Sequence, residues 1–406
     1  MIVPILLALA DPGTLRIVTR QGETSIPISV EHGVAVAAPL LAGPLDLAVV
    51  VDGSRATVVL RGIGFIFAIG TPYVRTGDRV CQLASESYVA RDTLFLPLTW
   101  VADCVPRVFG VRFRWDPTNN RLTETATPTP AAGTAAALPR PSSPVPVVHA
   151  GSPPALPPPN PLTGLRLRHG IVIDPGHGGR DPGNPGRYFP KGMTEKDVNL
   201  MIARLLRAEL QRRGITASVT RASDTLIDLH DRAGYCKEDC DLFVSIHVNS
   251  MPAGRHSGGA SGVETYFLSD AKTEDQRRVA EMENDAIRFE TAGAQQAEGD
   301  LGHILKDLQQ NEYLRESARL AELVQQRVAA VHPGGDRGVQ QAAFFVLSSA
   351  RRPAVLVETG FSTNRGDGEF LASALGQRRI ANAIADGVVA YLLEFERRTA
   401  GTGSGR

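Results

Sequence analysis

Two hydrophobic patterns follow one another along the chain. Between residues 11 and 125 the apolar positions fall in short runs, Leu15–Thr19, Val34–Ala37, Leu47–Val51, Ala56–Leu60 and Gly64–Ala68, separated by Gly, Asp or Pro. Such runs predict short β-strands. The stretch LFLPLTWVADCVPRVFGVRFRWDPTNNRL then predicts a strand at Leu94–Leu96, a helix over Leu98–Val108 and a hairpin turning near Asn119-Asn120. From residue 164 onward, continuous apolar runs alternate with segments of helical period. Gly170–Asp174, Leu242–Ile246 and Gly262–Phe267 predict buried strands, and Ile215–Thr220, Phe344–Leu347 and Ala354–Val357 predict further ones. Over Thr194–Arg213, Val198, Met201, Ile202, Leu205, Leu206 and Leu210 form one helical face, and Gly214 stops it. Helices are also predicted over Leu226–Lys237 and Arg378–Phe395, with a long polar helical region from Thr273 to Val331. Buried strands with helices between them predict an α/β fold. Its C-terminal part is a mostly parallel sheet sandwiched by helices, preceded by a small β-rich (α+β) domain.

Residues 126–163 separate the two patterns. The run TPTPAAGTAAALPRPSSPVPVVHAGSPPALPPPNP holds twelve of the chain's 28 prolines and reads as a semi-rigid linker that cannot pack a core. The expected domains are therefore residues 11–125 and 164–397, the second with a helical insert at about 271–336, and a disordered tail at 398–406. A chain of 406 residues is longer than one ordinary core fills, and 43% hydrophobic residues exclude a mostly disordered protein. No apolar run reaches the ~18–20 residues of a membrane-spanning helix. The 43 basic residues equal the 43 acidic ones, so no basic excess points to nucleic acid. The first ten residues, MIVPILLALA, end in the small-x-small pattern Ala8-Leu9-Ala10 and read either as a truncated signal segment or as a first strand. The cysteines form two local pairs, Cys81 with Cys104 and Cys236 with Cys240, which suit disulfides of an oxidising envelope or buried free thiols alike. The spacing of Cys236 and Cys240 lacks the two-residue gap of a zinc ribbon.

The chemistry gathers after residue 170. Ligands of open α/β sheets collect outside the carboxyl ends of the strands. The strand ending at Asp174 is followed by Pro175-Gly176 and His177; the strand ending at Ile246 presents His247, with Asn249 two residues on; the strand ending at Val357 presents Glu358. In GMTEKDVNL, Glu195 opens a helix for which Thr194 and Asp197 resemble a capping box. Each residue has a structural explanation alone: a strand-end histidine is often simply hydrogen-bonded, and a first-turn glutamate meets the helix dipole. Together they are two histidines and two glutamates at one edge. Two histidines and one carboxylate around an open position form a catalytic zinc pattern, and the remaining carboxylate suits a general base.

At these residues the sequence becomes recognisable. IDPGHGGRDPG, the helix-start Glu195, SIHVNS and VETGF resemble the zinc-dependent N-acetylmuramoyl-L-alanine amidases of the type 3 class, from Leu165 to about Phe395. The resemblance implies Zn²⁺ on His177, Glu195 and His247, and Glu358 as the catalytic glutamate. It implies hydrolysis of the amide between N-acetylmuramic acid and L-alanine in peptidoglycan, in wall turnover or daughter-cell separation, in the periplasm or outside the cell. An inactive peptidoglycan-binding protein and a zinc hydrolase of another envelope polymer are the competing readings. Asn249, Arg232 and Glu264 are candidate substrate contacts, each with a turn, salt-bridge or supporting role as its alternative. Family members with an extended helical insert are held inactive by an insert glutamate until a protein activator moves it. Glu283 is the candidate for that role, with Glu281, Glu290 or a plain surface helix as alternatives. Further upstream, the strand–Pro-Leu–helix–Trp-Asp pattern resembles copper amine oxidase N-terminal-like modules, which implies a non-catalytic stalk or binding unit.

Overall fold

The computed structural model describes residues 13–117, 119–125, 157–237, 240–252, 254, 258–290 and 310–400. The first ten residues, most of the proline-rich linker and the tail beyond Ala400 lie outside the described residues.

The C-terminal region is built on six strands. In chain order its elements are β1 (Gly170–Pro175), α1 (Glu195–Arg212), β2 (Thr216–Val219), the short α2 (Leu229–Arg232), β3 (Leu242–Asn249), β4 (Val263–Leu268), α3 (Glu274–Asn284), α4 (Gln310–Ala329), β5 (Asp336–Ala342), β6 (Ala354–Phe361), α5 (Arg365–Ala372) and α6 (Ala374–Ala400). The sheet order is β2-β1-β3-β6-β4-β5. Strands β2, β1, β3 and β6 run parallel, whereas β4 is antiparallel to β6 and parallel to β5. The reversal matters for function: it carries Glu264, the second residue of β4, to the edge where β3 and β6 end, directly opposite Glu358.

Strand alternation sends Ile171 and Ile173 to one face, where they meet Val198, Ile202 and Leu206 of α1, Leu320 and Val324 of α4, and Ile384 and Val388 of α6. Val172 and Phe243 point to the other face, against Leu229, Val279 and Phe344. Helix α1 starts where Asp197 accepts the Thr194 N–H at 2.9 Å, and it ends at Gly214, whose φ of +79° an L-residue adopts poorly.

The N-terminal region is β-rich. A four-stranded sheet contains Thr14–Thr19, Gly22–Pro27, Phe113–Asp116 and Arg121–Glu124; an antiparallel five-stranded sheet runs from Leu47–Asp52 to Arg79–Gln82. Phe65 and Phe67 pack edge-to-face on the buried Trp100, at 5.4 and 5.6 Å between centroids. This region docks at the amino ends of the parallel strands, away from His247 and Glu358. Arg352, just before β6, pairs with Asp103, and Arg107 donates to the Cys240 carbonyl at 2.7 Å.

Several expectations need correction. Phe344–Leu347 is not a strand; Phe345–Ser348 is a helical turn, because a short buried apolar run fits either conformation. The missing edge strand is β5, whose sequence DRGVQQA is too polar to announce itself. Helix Leu226–Lys237 shrinks to α2 and one 3-10 turn, closed off by the Cys236–Cys240 disulfide. Helix α4, which lies in the stretch expected as an insert, packs into the core through Leu320 and Val324. The last helix extends from Ala374 through Ala400, past the start of the expected tail. Ala38–Leu45 is a helix that two prolines and a glycine had hidden. Among the described residues no helix is long and apolar enough to cross a membrane.

Candidate active site

His177, Glu195, His247 and Glu283 are all buried, and one ligand atom from each lies within 4.8 Å of the others. Each reaches that point by a different local device. His177 follows β1 with φ +62°, a left-handed conformation rare outside glycine, which turns the imidazole back over the strand ends. Its Nδ1 lies 2.8 Å from Asp181 Oδ2, so its Nε2 faces the cluster. His247 projects from β3, and its ring lies so close to Gly176 that a Cβ there would stand 2.3 Å from it. Glu195 opens α1 and accepts four hydrogen bonds, from the backbone N–H groups of Asn184 and Val248 and the side-chain amides of Asn184 and Asn199. Glu283 arrives from the other side of the cleft, on the penultimate residue of α3.

The four groups approach closely without completing one another's hydrogen bonds. His177 Nε2 is 3.1 Å from Glu195 and 3.0 Å from Glu283, and His247 Nδ1 is 3.3 and 2.7 Å from the same two. Yet His177 Nε2, His247 Nδ1 and both oxygens of Glu283 have no partner of hydrogen-bonding geometry; their lone pairs converge on a common space. Glu358 sits beside His247 across the β3–β6 ladder, fully buried, with both of its oxygens unpartnered too. Burial opposes charge on the two histidines, but Glu195 and Glu283 outweigh it, holding His177 well above its usual range and pushing His247 up to about 9. Burial, then the charges of Glu283, Glu195 and Glu264, raise the Glu358 carboxyl well above the carboxylate range. The edge is thus overloaded with negative charge. Imidazole nitrogens and carboxylates converging on one buried, electronegative point fit a divalent cation of the zinc type.

The remaining sequence candidates take other positions. Arg232 is only 2% exposed and is fully engaged: it bonds Asp174 Oδ1 at 3.0 Å and the carbonyls of Ile227, Pro175 and His177. It therefore holds the His177 loop and presents no free guanidinium to a substrate. Asn249 donates to Glu264 at 3.0 Å, and Glu264 also accepts from Tyr266 and from Arg337 at 2.6 Å. These two are buried around the end of β3 and face one another. Of the three candidate glutamates, Glu281 is exposed, Glu290 accepts from the Leu229 N–H at 2.6 Å, and Glu283 joins the cluster. The sequence reading assigned nothing to Asp181, Asn184 and Asn199. Asp181 lies in the RDPG segment, and a carboxylate four residues after a candidate ligand histidine was the available signal.

The pattern of the N-acetylmuramoyl-L-alanine amidase family matches residues 171–390. The chain is 38% identical to the N-acetylmuramoyl-L-alanine amidase AmiA of Escherichia coli K12 over 235 residues, covering 57% of this chain and 78% of that protein. It is 32% identical to AmiC of Neisseria meningitidis, over 55% of this chain and 52% of that protein. Among solved structures, the AmiC2 amidase of Nostoc punctiforme superimposes with a TM-score of 0.41 at 30% identity, over 55% of this chain and 97% of that one.

Proposed function

The chain belongs to the N-acetylmuramoyl-L-alanine amidase family, and from that premise we propose a zinc hydrolase of peptidoglycan in which His177, Glu195 and His247 hold the ion and Glu358 moves the proton. The observation that carries this reading is the group of buried, unpartnered atoms on His177, His247 and Glu358 at one sheet edge. When bound, zinc supplies Lewis acidity, which polarises a carbonyl and eases the loss of a proton from water near neutrality. A bound cation would offset the neighbouring negative charge that raises the Glu358 carboxyl, and as a carboxylate Glu358 takes that proton and returns it to the L-alanine amine as the stem peptide departs from muramic acid. Asp181 accepts the Nδ1–H of His177 and so fixes the tautomer that leaves Nε2 available. Asn184, Asn199 and the Val248 N–H hold the Glu195 carboxylate in one orientation. Arg232, Asn249 and Glu264 act as supports of this edge rather than as substrate contacts.

Glu283 closes the site from the open side. Helix α3 holds its carboxylate against both histidines, where the attacking water and the substrate carbonyl belong. The resting chain is accordingly autoinhibited, and a protein activator that draws α3 away opens it. The setting is the cell envelope, in wall turnover or daughter-cell separation. Residues 11–125 form a non-catalytic domain of the copper amine oxidase N-terminal-like kind, tethered by residues 126–163, that binds the wall or spaces the catalytic domain 164–397 from it.

The test is mass spectrometry of muropeptides released from purified sacculi by the zinc-loaded full chain carrying Glu283→Ala, with the wild type beside it. Free stem peptides beginning with an L-alanine amine are expected, and Glu358→Gln lowers their release by about 10²–10⁴-fold. Products that retain the muramoyl–L-alanine bond would redirect the reading to another envelope polymer. Glu283→Ala raises basal release severalfold. Unchanged release, with the wild type still responsive to an activator, removes Glu283 from the inhibitory role.

A further inference from the structure

We propose that Cys81 and Cys104 are a redox-active dithiol, in which Cys81 attacks disulfides that enter the cleft between the two regions and Cys104 resolves the mixed disulfide. Both are free, buried thiols of one core cluster, Cys81 4% exposed and Cys104 0%, and each shifts the ionisation of the other. Cys81, on the strand Arg79–Gln82, forms part of the wall of an interdomain cleft of about 1220 Å³, which Arg107, His169 and Asp241 also line. Cys104 lies behind it, fully buried at the end of the Trp100–Cys104 turn and absent from the cleft wall. Arg107 Nη1 donates to Cys81 Sγ at 3.4 Å, while its Nη2 holds the Cys240 carbonyl at 2.7 Å. One guanidinium therefore stands between a dithiol and the Cys236–Cys240 disulfide.

This arrangement separates the two sulfurs by role. The neighbouring Cys104, with help from Arg107 and against the effect of burial, lowers the Cys81 thiol to about 7; burial, then Cys81 itself, raises Cys104. A thiolate beside a cation at a cleft wall is the attacking group, and a protonated thiol behind it is the resolving one. Ionised Cys81, its proton already lost to solvent, attacks one sulfur of a disulfide RSSR. A Cys81–S–S–R bond forms and RS⁻ leaves. The Cys104 proton passes to that RS⁻, and the Cys104 thiolate attacks the Cys81 sulfur. The second RS⁻ leaves and takes a proton from solvent. Two protein thiols are oxidised to one disulfide, and RSSR is reduced to two RSH.

The experiment treats the native full chain with glutathione disulfide and maps the cysteine peptides by mass spectrometry. Expected are a Cys81–Cys104 disulfide in the wild type, a glutathione adduct on Cys81 in Cys104→Ala, and an unmodified Cys104 in Cys81→Ala. The proposal is overturned when native Cys104→Ala carries no adduct on Cys81 while the same protein reacts once unfolded in guanidinium. Should Cys104→Ala fail to fold, a short iodoacetamide pulse on the native wild type decides. Alkylation of Cys81 at least about tenfold faster than Cys104 supports the assignment, and equal rates or the reverse order overturn it.

Discussion

Two buried groups of histidines and carboxylates sit at opposite ends of the same sheet. At the amino edge, His169 is held between Asp241, 3.1 Å from Nδ1, and Glu396, 3.0 Å from Nε2. The spare capacity of those carboxylates is filled by the backbone N–H groups of Gly170, Arg166 and Leu167. At the carboxyl edge, His177 and His247 stand equally close to Glu195 and Glu283, yet two ring nitrogens and four oxygens of Glu283 and Glu358 lack a partner. A buried polar atom without a hydrogen bond costs roughly 1–3 kcal/mol. Both groups set buried imidazole against carboxylates; they differ in the completeness of their hydrogen bonding. The complete group is a clamp for the start of β1 and the end of α6, and the incomplete one is shaped for something it has to bind.

Removing metal is the most severe test of that distinction. Treatment with dipicolinate is expected to abolish muropeptide release, and added zinc to restore it. Thermal unfolding should respond as well, because an ion that binds only the folded state at a hundred times its Kd stabilises it by about 2.7 kcal/mol. The His169→Ala variant should lose as much on chelation as the wild type, since its lesion lies at the other edge. A melting temperature indifferent to chelator and to zinc in both proteins would mean that the incomplete group is no receptor for a cation.

The complementary lesion is His169→Ala itself. Removing one partner from a buried ionic group leaves the others unpaired, so stability should fall by about 3–5 kcal/mol, while release per folded molecule at the carboxyl edge stays unchanged. The pH dependence gives the sign. Burial works against charge on His169, but Asp241 and Glu396 push it up to about 9, above its unfolded value of roughly 6.5. Its contribution is therefore complete below about pH 6.5 and is lost as the pH rises through about 9. Asp241 and Glu396 are held below their usual range despite burial, chiefly by His169, so theirs is present above about pH 4 and lost in acid. Denaturant midpoints measured from pH 5 to 10 should fall at the alkaline end in the wild type and much less in His169→Ala.

The contrast between the two edges also explains what the sequence could disclose. His177, His247 and Glu358 were legible because each follows an unmistakable apolar strand, and strand ends in such sheets define one line in space. Glu195 was legible from its place at a helix start. Glu283 was named only by resemblance, since nothing in MENDA distinguishes it from Glu281; the three-dimensional course of α3 makes the choice. For Arg232 and Glu264 the sequence could not choose between substrate contact and support, because their partners Asp174 and Arg337 are remote along the chain. The His169 clamp was invisible for the same reason, as its carboxylates lie 72 and 227 residues away. Strand β5 escaped because an edge strand buries too little to need an apolar pattern.

The smallest expected effect asks whether closeness alone can stand in for burial. Arg168 and Asp78 join the N-terminal region to the C-terminal one, with Nε 2.5 Å from Oδ2, but their side chains are 69% and 42% exposed. The Arg168 hydrogen bond lowers the Asp78 carboxyl, yet water and salt screen so exposed a pair, and such pairs are worth about 0–1 kcal/mol. Asp78→Asn should therefore lower stability by less than about 1 kcal/mol, and most of that difference should vanish in molar salt, where the Debye length falls to about 3 Å. Asp103→Asn strikes a pair of similar length between the same regions, 2.8 Å from Arg352, whose guanidinium is 7% exposed. There the loss should be larger and nearly independent of salt, because a charge remains buried without its counterion. Equal losses in the two variants, with equal salt dependence, would make distance rather than desolvation the quantity that matters, and the distinction drawn between the clamp and the exposed pair would fail with it.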